Sequence, residues 1–357
     1  MEAGIIGLPN AGKTTLFNAL TRAKASVGNF PFTTINPNVG VVPLPDPRLE
    51  FLAKIFLPQK TTPAVLKVVD VAGLVKNAHK GEGLGNKFLS EIRPLAAIIM
   101  LLRGFALGDI ASPLGEIDPK KEKDILETEL ILADLEMALA NREKLLGAAR
   151  SGEKNAQKIV EVLEYARKIL NNGQMLSAEP EFLKKEREII KRYQFLTAKP
   201  QLIVINVGTP EEAKKFRQEF PRALIISAKT ELELSELSPA ESILFRQEML
   251  AGIDSLDHLI RKIKELLNLI TFFTVVGTEI RAWHIPNNSS ALEAAATIHT
   301  DLAAGFIKAE VYNYTELEKF GSEKILAEKG LIRFEGKNYL IKEGDILKIH
   351  FSPAPGR

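Results

Sequence analysis

The sequence predicts an α/β protein in three parts: a mostly parallel sheet flanked by helices, a helical insertion within it, and a smaller β-rich domain. Three observations predict this. Short apolar runs (AGII at 3–6, AVLKVVD at 64–70, LAAIIMLL at 95–102, QLIVIN at 201–206, ALIIS at 223–227) alternate with helical stretches, as a sheet buried on both faces requires. Between about 120 and 199 prolines nearly vanish, charges of both signs intermix, and apolar residues recur at helical spacing. From about Thr271 onward the chain turns β-rich. The expected boundaries are 1–119 with 200–270 for the sheet domain, 120–199 for the insertion and 271–357 for the last part.

The first strand, Ala3 to Ile6, runs into GLPNAGKTT (7–15), and a helix opens at about Lys13 with Leu16, Phe17 and Leu20 on one face. A loop, VGNFPFTTINPNVGVV, ends in a strand. In DPRLEFLAKIF, Asp46 is the expected N-cap and Pro47 the first helical residue. AVLKVVD is a core strand leading into VAGLVKNAHKGEGLGNKF, where Gly73, Gly81, Gly83 and Gly85 mark a glycine-rich loop. In the insertion, Ile125, Leu132, Leu135 and Leu139, then Ile159, Leu163 and Ile169, predict an antiparallel helical hairpin. Beyond it TFFTVVG, EIRAWHIP, GFIKAEVYNY, GLIRFEGKNYLI and DILKIHF read as strands, SALEAAATIH as one helix, and EGKN and KEGD as turns.

With 357 residues, 45% hydrophobic and 26% charged, the chain has the composition of an ordinary soluble protein. A net charge of +2 means that any nucleic-acid contact must come from a local patch. Without cysteine there is no disulfide framework, thiolate zinc site or cysteine nucleophile. The longest apolar run, LAAIIMLL, falls far short of the ~18 residues of a membrane span. The first residues enter a core strand at once, which leaves no room for a signal peptide. The expectation is a cytoplasmic protein without a membrane partner, and a monomer.

The stretch GLPNAGKTT has the form G-x-x-x-x-G-K-T between a strand and a helix. Gly7 and Gly12 let successive N–H groups point into one concavity, to which the helix N-terminus adds its positive dipole end. Asn10, Ala11, Gly12, Lys13, Thr14 and Thr15 are therefore expected to hold nucleotide phosphates. Lys13 supplies charge for the outer phosphates, and Thr14 supplies an oxygen for Mg²⁺. The second core strand ends in DVAG (70–73): Asp70 is placed to hold a water of the metal shell, and the Gly73 N–H to reach the γ-phosphate. Thr33 and Thr34 lie in the earlier loop, and Thr34 is assigned to the same metal. In this order the elements describe a switch whose loops order on a triphosphate and relax after hydrolysis. A small-molecule kinase would need an acceptor-binding lid, which no segment suggests.

GLPNAGKTTLFNALT, NFPFTTINPNVGVVPLPDPRL, VDVAGLVKNAHKGEGLGNKFL, FFTVVGTEIRAWHIP and IHTDLAAGFIKAEV resemble the Obg-like ATPases, the bacterial YchF group, along nearly the whole chain. The resemblance implies a P-loop NTPase G-domain sheet, a helical insertion and a C-terminal TGS domain of ubiquitin-like β-grasp form. It also implies ATP preference, slow hydrolysis and ribosome association, with ribosomal RNA as the expected contact. By the same resemblance Val207 and Phe105 flank the adenine and Asn206 bonds its edge. The alternative reading is a GTPase switch of the same architecture.

Three stretches depart from common patterns. Leu74 stands where many GTPases place a water-orienting glutamine. INVGTPEE replaces the usual N-K-x-D: Asn206 is kept, Val207 replaces lysine, and Thr209 stands where the family commonly has an acidic residue. Glu211 or Glu212 is the candidate substitute after a shift of the loop. Ser227 to Lys229 (SAK) still resembles the base-binding loop of GTPases. Ser112 falls where the family usually has a histidine, and His79 is the remaining histidine near the switch, so no catalytic base is assigned. In the C-terminal part Lys308, Arg333, Lys337, Lys342 and Lys348 fall among Phe306, Tyr312, Phe334 and Tyr339, a candidate basic and aromatic face.

Overall fold

A computed structural model describes residues 1–22, 38–71, 84–106, 114–238, 241–242, 244–246 and 250–352. These fall into two compact units. The first holds 1–22, 38–40 and the described part of 67–259. The second holds 41–66 and 260–352.

The first unit is built on parallel strands β1 (Glu2–Ile6), β4 (Val65–Asp70), β5 (Ala97–Arg103), β6 (Gln201–Asn206) and β7 (Leu224–Ile226). Their order in the sheet is β4-β1-β5-β6-β7, with β2 (Val39–Pro43) beside β4. Every residue of β5 is buried, because helices cover both faces; all are apolar except Arg103 at its end. Ile98, Met100 and Leu102 of β5 pack with Ile205, with Phe216 of α8 (Pro210–Glu219), and with Leu126 and Leu130 of α4 (Pro119–Arg150). Strand order reverses at β1: the chain goes to β4 on one side and β5 on the other. In such sheets the crevice for a ligand opens at the carboxyl ends of the strands at that point.

The insertion forms the hairpin that the spacing predicts. α4 and α5 (Lys154–Asn171) pack together, and Gly152, at φ +93°, turns the chain between them. Ile159, Leu163 and Ile169 are buried and Ile125 and Leu135 pack against the core as the spacing predicts, but Leu139 is 40% exposed. The first half of α4 packs on the sheet through Leu126, Leu130 and Ala133, whereas Ile131 and Ala138 pack on α5 through Ile159, Val162 and Leu163. Two partners on different sides spread the apolar residues around the helix. A fully buried carboxylate pins this arm: Asp134 accepts from Thr197 N and Oγ1, both at 2.8 Å, and from Arg93 Nη1 at 3.1 Å.

In the second unit, strands β8 (Leu269–Val276), β9 (Glu279–Pro286), β10 (Phe306–Asn313), β11 (Arg333–Glu335) and β12 (Asp345–Phe351) form a mixed sheet ordered β11-β10-β12-β8-β9, with a sixth strand beside β9. β8 and β9 make an antiparallel hairpin and β12 runs parallel beside β8, the β-grasp arrangement. The sixth strand, β3 (Lys60–Thr62), pairs parallel with β9. Of GLIRFEGKNYLI only Arg333–Glu335 is a strand. The expected helix runs over Ala291–Ile298, and short helices at Tyr314–Phe320 and Glu323–Glu328 join it. The basic and aromatic face is only partly present. Tyr312 is buried and its hydroxyl bonds Glu323, and Phe306 packs against the core. Phe334, by contrast, is 60% exposed, with Lys308 Nζ 3.9 Å from its ring centroid and His350 edge-on at 6.2 Å. The register puts Lys308 opposite His350, and Glu310 opposite both Lys348 and Phe334, so all five share one sheet face.

Candidate functional site

At the carboxyl end of β1 the chain turns sharply into α1 (Lys13–Arg22). Gly7 is required because a Cβ there would lie 2.4 Å from Leu101 O. Gly12 combines φ +91° with a virtual Cβ 2.3 Å from Asn206 Nδ2, so neither the conformation nor the space admits a side chain. Asn10 also adopts positive φ, +65°. The loop curls around a cavity of about 740 Å³ lined by Asn10, Gly12, Lys13, Thr14 and Thr15 on the α1 side, and by Phe105, Ala106, Asn206, Val207, Gly208, Thr209 and Lys229 on the other.

The Lys13 ammonium folds back to donate to Leu8 O at 3.0 Å, and the side chain is nearly buried. Burial lowers its pKa, against the opposing pull of the Asp70 and Glu122 carboxylates. A cation so placed has lost much of its water, and an anion in the cavity would restore its partners. Thr14 Oγ1 donates to Asp70 Oδ2 at 2.8 Å, which brings two hard oxygens together at the end of β4 beside the loop. These are the donor types Mg²⁺ takes, usually one or two from protein with phosphate and water completing the octahedron. Among the described residues no group of three or more His, Cys, Asp or Glu forms a metal cage of its own.

Behind the loop, Asn206 is 5% exposed and its amide is engaged at both ends. Nδ2 donates to Ala11 O and Oδ1 accepts from Ala228 N, each at 3.0 Å. The residue therefore braces the phosphate loop to the SAK turn, which opens α9 (Ala228–Leu234). Phe105 and Val207 are both buried and both line the cavity. The Arg103 guanidinium lies 4.8 Å from the Phe105 ring centroid and its Nε donates to Phe105 O at 3.2 Å. Arg103 N in turn donates to Glu122 Oε2 at 2.9 Å. Glu122 is 1% exposed, and burial pushes its carboxyl up to about 7, against the Arg103 hydrogen bond and the Arg103 and Lys13 charges.

The structure thus brings Asn10, Gly12, Lys13, Thr14, Thr15, Phe105, Asn206 and Val207 onto one cavity and places Ala11 behind it through its carbonyl. Asp70 reaches Thr14. Thr34, Gly73, Leu74, His79 and Ser112 lie outside the described residues. Thr209 is the N-cap of α8: its Oγ1 accepts from Glu212 N while Glu212 accepts from Thr209 N, a capping box. Glu122 and Glu212 are the groups that sequence reasoning passed over or left open. For Glu212 the T-x-x-E spacing from Thr209 was the available signal. For Glu122, buried by tertiary packing, there was none.

A glycine-rich strand-to-helix turn with a desolvated lysine, a threonine–aspartate pair, an asparagine brace and an apolar slot define a P-loop nucleotide-binding protein of the G-domain class. Two family models agree: MMR_HSR1, described as "50S ribosome-binding GTPase", matches residues 2–135, and YchF-GTPase_C, described as "Protein of unknown function (DUF933)", matches 269–352. The chain belongs to the YchF family. It is 40% identical to the "Ribosome-binding ATPase YchF" of Pasteurella multocida, over 98% of this chain and 99% of that one. To the protein of the same description from Bacillus subtilis it is 38% identical, over 99% of each. The solved Schizosaccharomyces pombe "YchF GTPase" superposes with a TM-score of 0.84 at 30% identity, covering 98% of this chain and 97% of that one.

Proposed function

We propose that this chain is a slow ATPase whose nucleotide state gates its binding to the ribosome. The observation that carries the ATP reading is the base end of the cavity. The position that reads guanine with a carboxylate is Thr209, its hydroxyl spent on a helix cap, and the nearby Glu212 carboxylate is turned to backbone N–H groups. Phe105 and Val207 offer apolar surface to a purine, and the relatives described as ribosome-binding ATPases support the same choice. Lys13 would pair with the outer phosphates, and Thr14 with Asp70 would hold Mg²⁺, which offsets phosphate charge when bound. The GTPase alternative rests on the intact brace from Asn206 to Ala228 and on the description of the fission-yeast relative. Side-by-side equilibrium binding of non-hydrolysable ATP and GTP analogues decides between them, with tenfold tighter GTP-analogue binding favouring the alternative.

The remaining assignments belong to the same reading: Thr34 on the metal, the Gly73 N–H on the γ-phosphate, a TGS identity for 271–357, a helical insertion at 120–199 and a cytoplasmic monomer. No helix among the described residues is long and apolar enough to cross a membrane. The exposed Phe334 with Lys308, Lys348 and His350 suits ribosomal RNA, where aromatic stacking and phosphate contacts combine. Ribosomes should retain more protein with a non-hydrolysable ATP analogue than with ADP, and less at high salt. Co-sedimentation measures both. Equal pelleting in the two states removes the gating, and no pelleting at low salt removes the ribosome.

A further inference from the structure

Glu212 makes more hydrogen bonds than its helix needs. A capping box asks the acidic residue only to accept from the N-cap N–H, here Thr209 N at 3.1 Å. The same carboxylate also accepts from Gly208 N at 2.7 Å and, through its other oxygen, from Ala106 N at 3.2 Å. Those two extra donors come from different loops, one after β5 and one after β6. Each directly follows a residue lining the apolar end of the cavity: Ala106 follows Phe105, and Gly208 follows Val207. The loops approach closely there, since a Cβ on Gly208 would sit 3.4 Å from Glu212 Oε2 and 3.5 Å from Phe105 Cβ.

We infer that Glu212 is the positioning residue of the base slot: its carboxylate ties the Phe105 loop to the Val207 loop and so sets the gap that receives a flat purine. This deepens the reading of the cavity as a nucleoside triphosphate site and depends on it. Each wall has other anchors, and Gly104 N donates to Asn206 O at 2.8 Å, which joins the two segments just before Phe105 and Val207. Val207 N donates to Ile226 O at 2.8 Å, and Phe105 O accepts from Arg103 Nε. Between the two loops Glu212 supplies a charge-assisted bridge, worth about twice a neutral hydrogen bond. It acts by holding backbone rather than by reading an edge, so it governs how well any purine is gripped and leaves the phosphate end alone.

The test separates base from phosphate. Binding of a non-hydrolysable ATP analogue and of inorganic tripolyphosphate, both with Mg²⁺, is measured by calorimetry on the full chain and on Glu212→Ala, Glu212→Gln and Thr209→Ala. Glu212→Ala should weaken the ATP analogue at least tenfold and change tripolyphosphate less than twofold. Glu212→Gln keeps the shape and one acceptor oxygen, so it should fall between wild type and Ala; it serves alone if Glu212→Ala does not fold. Thr209→Ala removes the other half of the cap but spares the bridge, so it should weaken the ATP analogue clearly less than Glu212→Ala does. Equal loss for the two ligands, or a Thr209→Ala loss as large as that of Glu212→Ala, would reduce Glu212 to a helix cap and overturn the proposal. A wild-type chain that binds tripolyphosphate but gains nothing from the base overturns it too. If the wild type binds neither ligand, the nucleotide reading itself fails.

Discussion

Replacing Asn206 by alanine removes one side chain and two long-range ties at once. Nδ2 is the donor to Ala11 O in the phosphate loop, and Oδ1 is the acceptor for Ala228 N at the start of α9, each at 3.0 Å. The side chain is 5% exposed, so water does not readily take over either backbone group. Each buried group left without a partner costs about 1–3 kcal/mol, which puts the substitution at about 2–4 kcal/mol for the first unit once partial relaxation is allowed. The measurement must look at that unit. The single tryptophan, Trp283, sits on β9 in the second unit, so intrinsic fluorescence reports the wrong region. Far-UV circular dichroism in urea, with amide exchange read on peptides spanning 8–16 and 224–234, reports the right one. Both peptides should lose protection together, because one amide joins them, and tripolyphosphate affinity should fall as the loop loosens. A stability change below about 0.5 kcal/mol, or deprotection of only one peptide, would refute the brace.

Three further outcomes are expected. Lys13→Ala should weaken triphosphate binding by about 2 kcal/mol or more, since phosphate oxygens lose a charged partner in a water-poor site, and calorimetry reads it directly. Glu122 is held up to about 7 in the fold against about 4.5 when unfolded, so the folded state keeps a proton that the unfolded chain releases. Stability should therefore fall as pH rises from about 4.5 through 7, by about 3 kcal/mol from this group, and Glu122→Gln should flatten that decline in denaturation curves taken across the window. Thr209→Asp keeps a good N-cap, so stability should hold within about 0.5 kcal/mol. Its new carboxylate should move preference towards GTP analogues; unchanged preference in competition binding would mean that position 209 faces the helix alone.

The fold was legible where the signal is local. An all-apolar run such as AIIMLL (97–102) can only be a buried strand or a buried helix segment, and its length and the alternation around it decide for strand. The phosphate loop was legible because glycine, lysine and threonine at that spacing answer to one geometry. What escaped was set by partners far away in sequence. Lys60–Thr62 carries no apolar pattern at all, and it is a strand because Glu279–Arg281 of β9 gives its backbone a parallel ladder, with Thr62 Oγ1 donating to Glu279 Oε1 at 2.7 Å. Leu139 matched a helical stripe and is exposed, because α4 changes partner from sheet to α5 along its length.

At the cavity, which side chains line it was legible and how they are turned was not. The resemblance assigns Asn206 to the base edge, and in this structure its amide bonds two backbone groups. Glu212 was considered as an edge-reading acceptor, yet its two oxygens share three backbone N–H donors. Both cases have one physical cause. A polar side chain beside turns that leave backbone groups unpaired is drawn to those groups, because an unpaired N–H or C=O costs more than a hydrogen bond to an exchangeable ligand returns. Sequence spacing says which side chains reach a loop, but the loop's own unpaired groups decide what those side chains bind. Here they leave Phe105 and Val207 as apolar lining of the cavity, residues whose packing against a ring does not compete with the backbone at all.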